Sequence, residues 1–257
     1  MLNFAVETAR EAGQILLEKF GRKIVVHKKG DINLVTEADF ASEKHIIERI
    51  KSHYPKHSIL AEESGASDNV SDEKSDDKWK WIIDPLDGTT NFAHGYPCWC
   101  VTIAVEHNGE IVLGVTFDPT RNELFAAEKG RGATLNGRKI QVSDTAKLKD
   151  ALLCTGFPYD VAERENFARH FTGFVQNARG IRRDGSAAID MAYVACGRFD
   201  GFWEEGLQPW DVAAGVLLVE EAGGRVSYYD DSPFSIYAPP ICADNGLIHR
   251  EMLDVLR

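Results

Sequence analysis

The chain has 257 residues, of which 44% are apolar and 27% are charged. These proportions are typical of globular proteins and argue against a disordered, collagen-like or coiled-coil chain. Lys and Arg number 29 and Asp and Glu number 40, so the formal net charge is −11. This acidity argues against nucleic-acid binding, which uses clustered cationic side chains. It permits a small phosphorylated substrate if a metal ion supplies positive charge.

The sequence shows no pattern of membrane insertion or secretion. The longest uncharged apolar runs, such as Ile111–Val115, fall far short of the roughly 20 residues of a membrane span. The N-terminal segment carries Glu7, Arg10 and Glu11 among its apolar residues, unlike a secretory signal. The five cysteines form no C-x-x-C pair and are typical of reduced, buried thiols. We therefore expect a cytoplasmic protein without a membrane partner.

The first half, residues 1–148, predicts helices packed on an antiparallel sheet that carries most of the candidate metal ligands. Apolar residues at helical spacing predict a first helix that ends at Gly21. Thr36–Asp39 fits a capping box and predicts a second helix. Residues 65–78 are polar and acidic and predict a mobile loop. From Trp99 to Val142 the pattern indicates strands. Turns are expected at Asn108-Gly109, Asp118–Asn122 and Asn136-Gly137.

The second half, residues 149–257, predicts alternating strands and helices and therefore a layered α/β arrangement. The expected strands are 151–155, 181–183, 199–204 and 225–229. The expected helices are 163–178, 186–196 and 211–222. The pair Gly223-Gly224 ends the last of these helices. Together the two halves predict an α+β or α/β fold.

Three acidic motifs carry the residues best suited to chemistry. They are A-E-E-S at Ala61–Ser64, W-I-I-D-P-L-D-G-T-T-N-F at Trp81–Phe92 and Q-P-W-D-V-A-A-G at Gln208–Gly215. In the second motif a buried strand delivers Asp84 to its end, and Pro85 prevents the strand from continuing. The strand end and the following helix N-terminus place carboxylates that can hold a metal ion beside free N–H groups that can hold a phosphate. Carboxylate oxygens without thiols or imidazoles favour Mg²⁺ over Zn²⁺.

Each motif alone also has an ordinary structural interpretation. Asp-Gly is usually a turn, Glu-Glu is usually a solvated face, and an Asp near a helix start is usually a cap. The combination favours a functional site, because Asp84 and Asp87 would otherwise repel each other at the end of one strand.

Together the motifs resemble those of the inositol monophosphatase family of Mg²⁺-dependent phosphatases. The matching segments occur in order along most of the chain: Gly30–Asp39, Ala61–Ser64, Trp81–Phe92, Gly185–Ala188, Pro209–Gly215 and Glu221–Gly224. The resemblance implies a layered αβαβα sandwich of the inositol monophosphatase and fructose-1,6-bisphosphatase type, usually a homodimer. Because Asp211 lies far along the chain from Asp87, we expect the site at the junction of the two halves.

The resemblance implies two or three Mg²⁺ ions per site. The implied metal ligands are Glu62, Asp84, the Leu86 carbonyl, Asp87 and Asp211. Asp84 would contact both principal ions, and Glu62 would also support a weaker third one. Thr89, supported by Asp39, would orient a metal-activated water for attack on phosphorus. The implied catalytic residues are Glu62, Asp84, Asp87, Thr89 and Asp39.

The resemblance also implies which residues bind the substrate. The N–H groups of Gly88 and Thr89 would bind the phosphate. The implied substrate-binding residues are Asp87, Gly185, Ser186, Ala187 and Glu204. Lys28 and Glu63 would support the site through position or charge. Asp184 departs from the neutral residue expected before the Gly-Ser-Ala turn, which leaves the polyol preference open.

The expected reaction is hydrolysis of a small phosphate monoester, with myo-inositol 1-phosphate favoured and inhibition by lithium implied. Fructose-1,6-bisphosphatase, histidinol-phosphatase and 3′-phosphonucleotide phosphatase activities remain alternatives. A cysteine phosphatase is excluded because no cysteine begins a C-x5-R motif. A haloacid-dehalogenase-like phosphatase stays an alternative, although its D-x-D-G-T spacing is one residue shorter than here. A non-catalytic dimeric regulatory module on the same fold is the alternative from another class.

Overall fold

The structure, a computed structural model, describes six segments of the chain: residues 1–22, 26–29, 33–67, 78–157, 164–238 and 240–257. The prediction of a mobile loop is wrong at residues 65–67, which form a strand, and most of that segment, residues 68–77, lies outside the described residues. Among the described helices, none combines the length and the apolar character that crossing a bilayer requires.

The described helices follow the predicted order, with one addition at the C-terminus. They are α1 (Leu2–Lys19), α2 (Glu37–His53), α3 (Thr89–Ala93), α4 (Arg164–Asn177), α5 (Ala187–Ala195), α6 (Pro209–Glu221) and α7 (His249–Leu256). The capping box is confirmed: Ala38 N donates to Thr36 Oγ1 at 3.1 Å, and Thr36 N donates to Asp39 Oδ2 at 2.9 Å. The sequence patterns do not predict α7, because it has eight residues and no capping side chain.

The first half of the chain forms a two-stranded pair and a large sheet. The strands are β1 (Val26–Lys29), β2 (Asn33–Thr36), β3 (Ser58–Ala61), β4 (Gly65–Ser67), β5 (Trp79–Asp87), β6 (Cys100–His107), β7 (Glu110–Asp118), β8 (Glu123–Glu128), β9 (Gly132–Leu135) and β10 (Arg138–Lys139). β1 pairs with β2, and the large sheet has the order β10-β9-β8-β7-β6-β5-β3-β4. The predicted hairpin at Asn108-Gly109 is confirmed, with φ of 52° and 86° at its two residues.

The prediction of a wholly antiparallel sheet is wrong at one pair of strands. β3 and β5 run parallel, while the other paired strands of the large sheet run antiparallel. Parallel strands need a crossover between them, which the short-range turn signals do not reveal. The consequence for the site is direct, because β3 and β5 end at the same edge of the sheet.

The second half forms a smaller mixed sheet, which confirms the predicted alternation. Its strands are β11 (Leu152–Thr155), β12 (Gly180–Arg182), β13 (Gly201–Glu204), β14 (Arg225–Ser227) and β15 (Ile241–Asp244). The order is β12-β11-β13-β15-β14. β11 pairs in parallel with β12 and β13, and β15 pairs antiparallel with β13 and β14. β15 is missing from the prediction.

Helices and sheets stack in five layers, as the resemblance implies. α1 and α2 cover one face of the large sheet, α5 and α6 lie between the two sheets, and α4 and α7 cover the small sheet. Successive strand residues face opposite layers: Ile82 points to α5 and α6, whereas Ile83 points to α1 and α2. The middle core combines residues of both halves, and the division at residue 148 stays a prediction.

Candidate active site

The parallel pairing of β3 and β5 brings two predicted carboxylates together. Ala61 is the register partner of Ile83, and the next backbone N–H, that of Glu62, donates to the Ile83 carbonyl at 3.2 Å. Glu62 therefore leaves β3 where Asp84 follows Ile83 in β5. The acidic groups of two motifs thus meet at one sheet edge.

The prediction that Pro85 ends the strand is wrong, because β5 continues to Asp87 with a bulge between the two aspartates of the second motif. The register of β5 against β6 breaks between Asp84 and Asp87. Leu86 N donates to Asp84 Oδ1 at 2.9 Å, and Ser42 Oγ of α2 donates to the Pro85 carbonyl at 2.9 Å. Asp84 and Asp87 are 2% and 9% exposed. The break lets both carboxylates stay buried at the end of one strand.

The start of α5 holds Asp87. Ser186 Oγ and Ala188 N donate to Asp87 Oδ2 at 2.6 and 2.8 Å. Ser186 is also the N-cap of α5, with its Oγ accepting from Ile189 N at 3.4 Å. One serine therefore caps a helix of the second half and orients a carboxylate of the first.

Asp211 reaches the same place from α6. Pro209 is the first residue of α6, two residues before the predicted start, because proline needs no hydrogen-bond acceptor there. Gln208 N donates to Asp211 Oδ2 at 2.7 Å, and the side chains of Asp211 and Asp84 share a hydrogen bond. The predicted junction of the two halves is therefore where Asp211 lies.

Burial and mutual repulsion raise the pKa values of these carboxyls. Burial is the largest cause for Asp84, and the charges of its acidic neighbours add to it, so its pKa lies well above the ordinary value. Burial, with the charge of Asp87, raises the pKa of Asp211 to about 7. Burial also raises the pKa of Asp87, against the hydrogen bonds from α5. We name these acidic groups the junction cluster: Glu62, Asp84, Asp87 and Asp211.

The junction cluster fits a divalent cation by the chemistry of its donors. All its members offer carboxylate oxygens, the hard ligands that Mg²⁺ prefers. A doubly charged ion would also offset the repulsion between them. Within the described part of the chain, no three members bring oxygens within 4.8 Å of one another. A site for two ions about 3.5–4 Å apart spreads its donors more widely than that. The individual ligand assignments stay predictions.

Thr89 begins α3 and directs its hydroxyl at two acceptors. Its Oγ1 lies 3.1 Å from Asp39 Oδ1 and 3.0 Å from the Leu86 carbonyl oxygen. Asp39 is held in turn by the backbone N–H and the hydroxyl of Thr36, both of which donate to Oδ2. The predicted support of Thr89 by Asp39 is therefore present as a direct contact.

Gly88 and Asn91 anchor the two ends of the first turn of α3. Gly88 has a φ of 94°, and a Cβ there would lie 2.9 Å from the Cys98 carbonyl oxygen, so only glycine fits. Asn91 Nδ2 donates to the carbonyls of Cys98 and Asp184 at 2.7 and 2.8 Å. Asn91, which is missing from the prediction, thus ties α3 to the loop before α5.

A cavity of about 80 Å³ opens beside the junction cluster. Its lining residues are Asp87, Gly156, Arg183, Gly185, Ser186, Ala187, Asp190, Glu204, Leu207 and Asp211. The implied substrate-binding residues Asp87, Gly185, Ser186, Ala187 and Glu204 are all among them, whereas the implied phosphate-binding residues Gly88 and Thr89 are not. Asp190 is the one acidic residue of an otherwise apolar helix. This pattern could have identified it as a candidate site residue. Gly156, Arg183 and Leu207 carry no comparable signal.

Glu204 fills a space that the backbone of β11 leaves open. A Cβ on Gly156 would lie 1.8 Å from Glu204 Oε1. Burial, with the charge of Asp211, raises the pKa of Glu204 to about 8, although Arg183 and the N–H of Gly156 favour its ionised form. The absence of a side chain at Gly156 therefore positions a predicted substrate contact.

The two supporting residues of the prediction differ in what the structure describes. Lys28 lies in β1, and its side chain is outside the described part of the molecule. The N–H groups of Glu63 and Ser64 donate to the two oxygens of Glu43 at 2.8 and 3.0 Å. Glu43 of α2 therefore holds the A-E-E-S loop, a role the sequence did not suggest.

A larger cavity, of about 540 Å³, lies apart from these residues. It contains Arg179, Arg182 and Arg198 but no residue of the predicted site. Arg179 pairs with Asp150, and Arg198 pairs with Glu123. Because two of its three guanidinium groups already have acidic partners, the smaller cavity is the better candidate site.

Comparison with known proteins agrees with this geometry. Residues 1–256 match the inositol monophosphatase family. The chain belongs to this family. It is 48% identical over 257 residues to the inositol-1-monophosphatase of Synechocystis sp., with 99% of this chain and 88% of that protein covered. It is 43% identical over 262 residues to Nus factor SuhB of Pseudomonas aeruginosa, with 100% and 96% covered.

A solved structure supports the fold. The inositol monophosphatase from Anabaena superposes with a TM-score of 0.88 at 47% identity, and the alignment covers 99% of this chain and 94% of that one. Membership of the family supports a phosphatase and a metal-dependent site, and argues against the dehalogenase-like alternative. Its relatives carry two different names, so they do not select one substrate.

Proposed function

We propose that this protein is a Mg²⁺-dependent phosphoric monoester hydrolase whose preferred substrate is myo-inositol 1-phosphate. The observation that carries the proposal is the convergence of the junction cluster on a cavity lined by further carboxyls. The acidic chain would repel a phosphate dianion unless cations intervened. A reaction that recruits divalent ions and then a phosphate ester is therefore consistent with the charge of the site.

The residues that would hold the ions are Glu62, Asp84, the Leu86 carbonyl, Asp87 and Asp211. When bound, Mg²⁺ supplies Lewis-acid polarisation of the phosphoryl and water oxygens and neutralises the leaving alkoxide. The protein contributes fixed positions: Asp84 is held by Leu86 N, and Asp87 is held by the start of α5. Such prior orientation is what phosphoryl transfer to water mainly needs.

Thr89 and Asp39 would orient the attacking water. The Thr89 proton is directed to Asp39 or to the Leu86 carbonyl, so the lone pairs of Oγ1 face away and can accept a hydrogen bond from water. Asp39 cannot turn aside, because Thr36 holds its other oxygen. The N–H groups of Gly88 and Thr89 lie at the start of α3, where backbone donors favour an anion such as phosphate.

The cavity suits the alcohol part of the substrate. Carboxylate oxygens are acceptors, and the hydroxyl groups of a polyol are donors. Asp87 and Glu204 offer such oxygens on the cavity wall. This chemistry favours a polyol or sugar phosphate over an ester with an apolar alcohol.

A substrate panel tests the proposal. The purified protein would be assayed with myo-inositol 1-phosphate, fructose 1,6-bisphosphate, histidinol phosphate and adenosine 3′,5′-bisphosphate, each with Mg²⁺ and with EDTA. We expect Mg²⁺-dependent turnover with the highest kcat/KM for the inositol ester, and inhibition by lithium at high Mg²⁺. Phosphate release that persists in EDTA would contradict the metal requirement, and a higher kcat/KM for another ester would replace the substrate.

A single turnover in oxygen-18 water distinguishes direct attack by water from an aspartyl-phosphate route. Direct attack places the label in the released phosphate. An aspartyl-phosphate enzyme would first place it in its own carboxylate, which mass spectrometry of the peptide Trp81–Phe92 would detect. Label in Asp84 or Asp87 would overturn the proposed mechanism.

A second candidate is a non-catalytic regulatory role. It is favoured by the 43% identity to a protein named Nus factor SuhB. The junction cluster, which such a role does not need, argues for catalysis as the first candidate. A protein that binds partners equally well with and without the Asp84→Asn change, and never turns over substrate, would support the regulatory role.

The proposal places the enzyme in the cytoplasm as a homodimer. The five cysteines are unpaired, and four of them are buried, which suits a reducing compartment. Light scattering of the purified protein would give its oligomeric state.

A further inference from the structure

Asp190 is a buried carboxyl that faces the cavity without a partner. It is 1% exposed and lines the cavity beside the junction cluster. Neither of its oxygens has a hydrogen-bond partner among the described residues. Buried polar groups are almost always hydrogen-bonded, because an unpaired one costs free energy. An exception that opens into a cavity points to a ligand contact.

α5 carries Asp190 one turn beyond Ser186. Residues four apart lie on one face of a helix, and Asp190 N donates to the Ser186 carbonyl at 3.0 Å. Ser186 Oγ in turn donates to Asp87 at 2.6 Å. The helix face that orients Asp87 therefore also directs Asp190 into the same cavity.

The charges around Asp190 select a neutral partner. Arg183 is the one cation among the described lining residues, and its guanidinium lies over the Phe157 ring, 4.8 Å from the centroid. Burial and the charges of its acidic neighbours raise the pKa of Asp190 well above its ordinary value, and the positive charge of Arg183 opposes this shift. The acidic lining residues Asp87, Glu204 and Asp211 would repel an anionic ligand. Hydroxyl groups, which carry no charge and donate protons, fit the carboxyl oxygens.

We propose that Asp190 is a specificity-determining residue that accepts a hydrogen bond from a hydroxyl of the substrate's alcohol part. The inference rests on the proposed phosphatase function and adds a third acceptor to those of Asp87 and Glu204. The ligand class is a polyhydroxylated alcohol or sugar. A second phosphate is disfavoured by the acidic lining.

Steady-state kinetics of Asp190→Asn and Asp190→Leu test this role in the full-length protein with Mg²⁺. The substrates are myo-inositol 1-phosphate and p-nitrophenyl phosphate, whose alcohol part has no aliphatic hydroxyl. We expect KM for the inositol ester to rise about tenfold in the leucine variant, as for loss of one buried hydrogen bond. The asparagine variant keeps one acceptor, so its KM for the inositol ester should lie between those of the leucine variant and the unchanged protein. KM for p-nitrophenyl phosphate should stay within about twofold.

Singly deoxygenated inositol phosphates identify the hydroxyl. One analogue should lose affinity with the unchanged protein but not with Asp190→Leu, because the variant has already lost that contact. The same analogue should still lose affinity with Glu204→Gln. If no analogue shows this coupling, Asp190 does not contact the substrate.

Thermal unfolding distinguishes a role in substrate binding from a structural role of Asp190. If Asp190 only stabilised the fold, replacing it would lower Tm. Asp190→Leu removes an unpartnered buried carboxyl, so Tm should rise by about 2–4 °C. Asp244→Asn is the matched control, since Asp244 is equally buried but bonded to His249 at 2.6 Å. The control should lower Tm and leave both KM values unchanged. A fall in Tm for both Asp190 variants without a change in KM would overturn the proposal.

Failure of this inference differs from failure of the proposed function. If the unchanged protein shows no preference for the inositol ester over p-nitrophenyl phosphate, the polyol substrate itself is wrong. If the preference exists and the Asp190 variants keep it, only the role of Asp190 is wrong.

Discussion

Two clusters of titratable residues lie in different parts of this molecule, and they differ in how their charges are satisfied. The first is the junction cluster. The second, which we name the C-terminal cluster, consists of Cys242, Asp244 and His249, whose donor atoms all lie within 4.8 Å of one another. By spacing alone the C-terminal cluster would be the stronger metal site.

The hydrogen bonds reverse that ranking. In the C-terminal cluster His249 Nδ1 lies 2.6 Å from Asp244 Oδ2, and its Nε2 lies 3.2 Å from both Ser227 and Asp231. Asp244 also accepts from Gly246 N at 2.7 Å. The groups satisfy one another and tie β15 to α7. A buried cluster whose members hydrogen-bond one another therefore stabilises the fold. A cluster of carboxyl groups that repel one another is instead suited to binding a cation.

The comparison is tested most strongly by Asp84→Asn. We expect kcat with Mg²⁺ to fall by at least about a hundredfold, because a group that positions charge in the transition state is lost. Tm of the metal-free protein should stay equal or rise, since one of several repelling carboxylates is gone. Phosphate release and circular dichroism would measure both effects. A variant that keeps most of its Mg²⁺-dependent rate would show that the junction cluster is not the catalytic site.

The opposite result is expected for His249→Ala in the C-terminal cluster. Asp244 would be left buried without its imidazole partner, at a cost of about 2–4 kcal/mol in the free energy of unfolding. Urea denaturation would measure this loss, and kcat/KM should not change at a temperature where the variant is folded. Loss of activity at unchanged stability would instead assign a functional role to the C-terminal cluster.

Gly156→Ala tests how the backbone positions Glu204. The added Cβ would lie 1.8 Å from Glu204 Oε1, so the carboxylate must move, and we expect KM to rise about tenfold with a smaller change in kcat. Gly180→Ala is the matched control, because its Cβ would meet Leu152 at an ordinary 3.5 Å. Equal KM values for Gly156→Ala and Gly180→Ala would show that Glu204 does not take part in substrate binding.

The smallest expected effect is a pH dependence of stability in the metal-free protein. Folding raises the pKa of Asp211 to about 7 and that of Glu204 to about 8, whereas unfolded carboxyls titrate near about 4. The folded state therefore holds more protons between these values, and its stability falls as pH rises from about 5 to 8. We expect Tm in EDTA to drop by about 3 °C or more over this range. Saturating Mg²⁺ should flatten the dependence, and an equal slope with Mg²⁺ would contradict the assignment of the junction cluster to the ions.

Local signals in the sequence predicted much of the secondary structure. The capping box at Thr36 and the hairpin at Asn108-Gly109 depend on residues within a few positions of each other. Strand ends were predicted within one or two residues in β11 and β12. Among the elements that were not predicted, β15 and α7 lack strong turn or capping signals, and their positions depend on packing against other layers.

The residues of the candidate site also divide into those that local signals predict and those whose positions depend on packing. Asp84, Asp87 and Gly88 belong to one motif, so their proximity could be predicted from the sequence, but the continuation of β5 past Pro85 with a bulge could not. The meeting of Asp211 with Asp84 could be expected only through the family resemblance. Nothing local indicates that Gly156 leaves room for Glu204, because that contact joins two strands far apart in the chain.

The sequence by itself therefore determined the acidic motifs, the helix caps and the hairpin turns, because each rests on neighbouring residues and their conformational preferences. The tertiary structure alone decided that β3 runs parallel to β5, that Ser186 orients Asp87, and that Asp190 lines the cavity without a hydrogen-bond partner among the described residues. These features depend on how five layers stack. The burial and electrostatic environment of a carboxyl are set by groups from several layers, and no segment of the chain contains them all.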